Sequence, residues 1–171
     1  LLEFSCGRTS DNVWFGLHDT TLNRTSQTTG LPAVSGMTWA QVQAYQNSLN
    51  AAGNPVQYYK LSDFLQKYTP SHTVHVDPKY GLNKMTEFLD QLDMYGGPTP
   101  AIAQSRIVIK FVGTGGGAIN VANMGRARGY TVAVYLYDAD VTSGAFAAEQ
   151  GYWDYVGINW NSTQEIFETV K

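Results

Sequence analysis

The chain has 171 residues, of which 43% are apolar and 15% charged, with a net charge of −3. That supplies enough apolar material for one packed core and excludes a disordered, collagen-like or coiled-coil chain. The weakly acidic balance gives no footprint for nucleic acid, no apolar run approaches the roughly 18–20 residues of a membrane span, and the lone cysteine, Cys6, excludes an internal disulfide and a cysteine-based zinc cluster. Thr, Ser, Asn, Gln and Gly make up for the scarce charge, as in secreted and structural-assembly proteins, which tilts the expected location toward extracellular, periplasmic or virion.

Six runs read as strands because each is rich in β-branched or aromatic residues and most are bounded by turn formers. The first two are Leu1–Ser5 and Val13–Leu17. Thr38 then caps a helix from Trp39 to Ser48, with Trp39, Val42 and Tyr45 at helical spacing, and Ser62 caps a turn carrying Phe64 and Leu65. A strand over Thr73–Asp77 follows. Residues Leu82–Tyr95 form the clearest amphipathic helix, with Leu82, Met85, Phe88, Leu89 and Leu92 on one stripe. The strand Arg106–Phe111 leads to a helix over Ala118–Arg128 that stops at Gly129. The strand Thr131–Tyr137, a helix over Val141–Gln150 and the strand Tyr155–Trp160 complete the chain.

Strand and helix alternate, so the class is α/β with a mainly parallel sheet and one domain over residues 1–171. A closed eight-stranded barrel needs about 200 residues or more. Six strands in a chain that opens inside a strand therefore suggest a TIM-barrel-like fold, incomplete and lacking its first strand. Such a barrel exposes strand edges, so a missing segment or a neighbouring chain is expected to cover them.

Catalytic groups of α/β barrels sit at the carboxyl ends of strands. His18 and Asp19 follow the second strand, where an imidazole can move protons near neutral pH or can simply form a His–Asp turn cap. In the third strand Val74 and Val76 point one way, while His75 and Asp77 point the other, with Lys79 joining them if the strand runs through Pro78. Asp77 could bind a hard cation and Lys79 an anionic oxygen, or the two could form an ion pair. Glu3 is the only carboxylate of its strand, and Lys110 near the end of the fourth could face the mouth. The Gly113–Gly117 run reads first as a turn, and second as a phosphate nest lacking the P-loop and dinucleotide spacings. The four tryptophans read as core and mouth packing.

In order along the chain, Glu3, Thr9-Ser10-Asp11-Asn12 and His18-Asp19-Thr20-Thr21-Leu22-Asn23-Arg24-Thr25 resemble the glycerophosphodiester phosphodiesterase family. Gly30 with Val34–Trp39, Leu61–Leu65, Val76–Lys79 and the segments from Gly129 to Asp138 and Gly151 to Ile158 are similar to its later segments. The resemblance implies an α/β barrel that binds a divalent cation, Ca²⁺ or Mg²⁺, and hydrolyses small-molecule glycerophosphodiesters to an alcohol and glycerol phosphate. It implies Glu3 and Asp77 as metal ligands, His18 as general acid/base and Lys79 as the phosphate contact; Lys110, from its place near the end of its strand, is a further candidate for substrate binding. Three departures stand out. The family's Glu-x-Asp is Glu3-Phe4-Ser5 here, Tyr59 replaces a proline, and the His-Arg-Gly segment with a second catalytic histidine has no counterpart. The alternative is a catalytically weakened binding or structural module of a larger assembly, such as a virion tail or surface protein.

Overall fold

The computed structural model describes residues 2–49, 53–79 and 82–171. Leu1 of the first expected strand and the side chain of Leu82 lie outside the described residues. The expected strands form one six-stranded sheet. Strand β1 (Leu2–Arg8) pairs antiparallel with β2 (Trp14–Gly16), joining Arg8 to Trp14 and Gly7 to Phe15. This hairpin carries β1 past the Ser5 boundary. The turn between them is held by Thr9, whose hydroxyl donates to Asp11 at 2.6 Å, and Asn12 closes it at φ 67°. Left-handed backbone is the conformation Asn tolerates better than most residues.

After β2 come α1 (Asn23–Ser26), α2 (Trp39–Gln43) and α3 (Leu61–Tyr68). Thr38 caps α2 through a capping box with Gln41, but the helix ends at Gln43 rather than Ser48. Strand β3 (Val74–Pro78) does continue through its proline. It is followed by α4 (Met85–Tyr95), α5 (Pro100–Arg106), β4 (Ile107–Val112) and α6 (Gly116–Ala127). Then come β5 (Thr131–Leu136), α7 (Asp138–Thr142), β6 (Tyr155–Ile158) and α8 (Gln164–Val170). The sequence pattern misses α5 and α8, short helices whose signals are caps rather than stripes: the Thr99 and Thr163 side chains accept from Ile102 and Ile166 amides. The helix expected over Val141–Gln150 is broken. Gly144 adopts φ +78°, and two 3₁₀ turns, Phe146–Ala148 and Gln150–Tyr152, replace its second half.

The sheet order is β2-β1-β3-β4-β5-β6, with β1, β3, β4, β5 and β6 parallel. Parallel neighbours in chain order, with α4 and α6 both packed on one face of them, give the winding of a barrel wall rather than a doubly wound sheet. The arc is open between β2 and β6. On the helix side Val74, Val76, Ile109, Val132, Val134 and Leu136 pack against Phe88, Leu89 and Leu92 of α4 and Val121 of α6. A smaller cluster beside β2 joins Phe15, Leu17, Leu22, Val34, Trp39, Val42 and Tyr58. Trp14, Trp39 and Trp153 are buried as expected, but Trp160 is 97% exposed and packs nothing. Among the described residues no helix is long and apolar enough to cross a membrane.

Candidate functional site

Period-2 alternation fixes what the helix-free face carries. Cα pairing sets Glu3 beside His75 and Ser5 beside Asp77. One strand further, His75 pairs with Val108, so Lys110 lies level with Asp77 on the same face. Ala133 and Tyr135 of β5, and Tyr155 and Gly157 of β6, continue that face. Polar residues thus collect on β1, β3 and β4, while β5 and β6 supply an apolar and aromatic wall. Between them lies an open cavity of about 260 Å³ lined by Glu3, His75, Lys110, Tyr135, Tyr155 and Val156.

Two ion pairs organise the polar half. Lys110 Nζ donates to Glu3 Oε1 at 2.8 Å, and Lys79 Nζ lies 2.6 Å from Asp77 Oδ2. The first pair is unusual in its route, because β3 separates β1 from β4. Two strand spacings amount to about 9.6 Å, a gap that long Lys and Glu side chains close over the intervening His75, as inward curvature of the arc favours. Lys110 also lies 5.3 Å from the Tyr135 ring centroid, an arrangement that stabilises a partly desolvated ammonium. Both lysine side chains are only 16% exposed.

Burial pushes the Asp77 carboxyl above its ordinary range, and the Lys79 hydrogen bond, with the charges of Lys79 and Lys110, pulls it back. Burial likewise holds the His75 imidazole below its ordinary value; Lys110 adds to this and Glu3 opposes it. Cys6 lies on the core side of β1, and burial drives its thiol well above the usual range, which leaves it unreactive.

Of the residues singled out in sequence, the fold brings together Glu3, Asp77, Lys79 and Lys110. His18 stands apart from them. Its side chain is 66% exposed, its Nδ1 lies 3.2 Å from Asp19 Oδ1, and among the described residues no hydrogen bond or ion pair joins it to the four charges. Arg24 grips the same Asp19 through Nε at 2.7 Å and Nη2 at 2.9 Å, which with the weaker His18 contact holds that carboxyl below its usual range. Leu22 and Thr25 of the same string serve packing: Leu22 is fully buried, and the Thr25 hydroxyl meets Tyr58 Oη at 2.6 Å.

The glycine run after β4 is a turn that opens α6, with Gly115 at φ +105°. Its amide is already taken: the Gly115 N–H donates to Glu149 Oε1 at 2.7 Å, and Glu149 is buried. An internal carboxylate thus sits where a phosphate nest would need an external anion. Glu149 escaped the sequence reading because it falls in the stretch expected to be one helix, where its partner could not be foreseen.

The divalent cation implied by the resemblance can be tested against these donors. Ca²⁺ takes about 6–8 oxygens, and Mg²⁺ on one or two carboxylates draws its remaining ligands from water and substrate. Here the candidate oxygens are two carboxylates and the Ser5 hydroxyl, and among the described residues no three His, Cys, Asp or Glu converge as a metal cluster. Each carboxylate is held by a lysine, so Glu3, Asp77, Lys79 and Lys110 carry no net charge. A dication reaching either would share a carboxylate whose charge an ammonium already balances. The donor set does not fit a resident cation.

No family model matches the sequence, and no curated protein matches it. Among solved structures, the chain is similar to a glycerophosphodiester phosphodiesterase from Agrobacterium tumefaciens str. C58, at 15% identity and a TM-score of 0.49, over 91% of this chain and 82% of that one.

Proposed function

We propose that this chain acts on phosphodiesters of the glycerophosphodiester class at the helix-free face of its sheet. The observation that carries the reading is the pair of half-sequestered lysines on that face. An ammonium has three donors; Lys110 uses one on Glu3 and Lys79 lies in ion-pair contact with Asp77, leaving hydrogen-bonding capacity on both for the non-bridging oxygens of a phosphodiester. The ordered resemblance to glycerophosphodiester phosphodiesterases names the same chemistry.

A phosphodiester needs its anionic oxygens neutralised and its poor leaving group protonated. Lys79 and Lys110 supply the first. His18 is the candidate for the second: Asp19 engages Nδ1 and leaves Nε2 as the atom that exchanges a proton. In the reaction implied by the resemblance, the substrate's neighbouring hydroxyl attacks phosphorus and gives up its proton. The bond to the alcohol oxygen breaks, the alcohol leaves with a proton, and water opens the cyclic phosphate to glycerol phosphate. The test is hydrolysis of glycerophosphocholine by this chain beside His18→Ala. Turnover falling about 10²- to 10⁴-fold in the variant is the expected loss of a general acid/base; equal turnover in both overturns the role of His18.

A second reading, a phosphodiester-binding module with weakened catalysis, is favoured by one observation: among the described residues no hydrogen bond or ion pair joins His18 to the charged cluster. Saturable binding of glycerophosphocholine without turnover would decide for it.

A further inference from the structure

We infer that phosphate charge at this site is met by lysine ammonium groups and not by a divalent cation, with Lys110 in the cation's role. The inference rests on the phosphodiester reading above and concerns how that site works. Its ground is the chain of contacts across three strands. Glu3 on β1, the residue placed to hold a cation, instead accepts from Lys110 on β4 at 2.8 Å, over the top of His75. Asp77 on β3 lies against Lys79 at 2.6 Å. Ser5, beside Asp77 in register, offers a neutral hydroxyl where a third carboxylate would build the negative field that attracts a dication.

Charge arithmetic separates the two modes. Two carboxylates and two ammonium groups sum to zero, so a dication finds no net attraction at either carboxylate. A phosphodiester monoanion meets the opposite situation. It can add to the ammonium groups without evicting either carboxylate, because each lysine keeps donors in reserve. Lys110 is also fixed in place: Glu3 holds its head, and Tyr135 flanks it at 5.3 Å, so little side-chain freedom remains to be lost on binding. The ligand class that follows is an organic phosphate carrying one or two negative charges, bound beside the wall of Ala133, Tyr135 and Tyr155.

The experiment is calorimetric titration of the full chain with glycerophosphocholine, once in EDTA and once with Mg²⁺ or Ca²⁺ in excess, together with each cation alone. The expected result is equal affinity in both buffers and no saturable heat from either cation at millimolar concentration. Lys110→Gln should weaken binding in EDTA by about 10- to 100-fold, as for loss of a hydrogen bond to a charged group, while Lys110→Arg, which keeps the charge, should retain it. Lys79→Gln gives an independent reading if Lys110→Gln folds poorly. Binding that appears only with cation present, or a saturable cation heat that Glu3→Gln abolishes, overturns the inference and leaves the phosphodiester reading standing. Absence of glycerophosphocholine binding in every buffer overturns both.

Discussion

Replacing Ser5 with aspartate is the sharpest perturbation of the proposed site. Ser5 and Asp77 face each other in register on parallel neighbours, so the new carboxylate stands one strand spacing from an existing one. At about 5 Å and an effective dielectric constant near 20, two like charges repel by about 3 kcal/mol. Lys79 and Lys110 lie in the same cluster and offset most of this, which leaves a net loss of about 1 kcal/mol. For a chain of this size each kcal/mol shifts the unfolding midpoint by about 2–4 °C, so Ser5→Asp should unfold about 2–4 °C below wild type in EDTA near pH 8. The same substitution creates a three-carboxylate donor set. Adding Mg²⁺ or Ca²⁺ should then restore stability, by about 2.7 kcal/mol when the cation reaches 100 times its dissociation constant. Wild type should show no such rise. Thermal unfolding followed by circular dichroism reads all four states. A wild-type midpoint that climbs with cation as far as the variant's, or a Ser5→Asp midpoint in EDTA equal to wild type, would refute the charge-cancellation argument.

Other elements give independent checks. Glu149→Ala removes the carboxylate from the Gly115 amide at the start of α6 and should cost about 1.5–3 kcal/mol in urea denaturation, with Glu149→Gln costing less because an acceptor remains. Tyr130 is buried and donates to Asp93 Oδ1 at 2.7 Å, so Tyr130→Phe should lose about 1 kcal/mol. Burial first, then Asp93, raises its phenol far above the ordinary value. Its contribution is therefore complete below the unfolded value of about 10 and is lost as pH rises beyond it. Denaturant midpoints of wild type should fall more steeply above that pH than those of the Phe variant. His75 has the opposite sign. Burial and Lys110 lower its folded value, so its contribution is present above about 6.5 and is lost as pH falls through the lower folded value. His75→Gln should flatten the acid limb of the stability profile, and an unchanged limb would show that other groups govern it.

What could be read from the sequence depended on whether the signal was local. Alternation in Val74-His75-Val76-Asp77 named the polar face of β3, and the stripe of Met85, Phe88, Leu89 and Leu92 named the buried face of α4, because each pattern is contained in one element. The candidate charges were therefore visible as individuals. Their partners were only half visible: Asp77 and Lys79 are two residues apart and share a strand parity, whereas Glu3 and Lys110 are 107 positions apart. No periodicity predicts that second contact. It needs the order β1-β3-β4, the register that levels Lys110 with Asp77, and an arc curved enough for one side chain to pass over His75. The functional consequence follows from that contact. Read as a string, Glu3 has no partner in view and Asp77 offers either a cation site or an ion pair with Lys79; folded, each carboxylate has a lysine counter-ion. The Ser5 substitution, which in sequence looked like the loss of one ligand, becomes in the fold part of a consistent charge arrangement: with the third carboxylate gone, two lysines suffice to balance the two that remain.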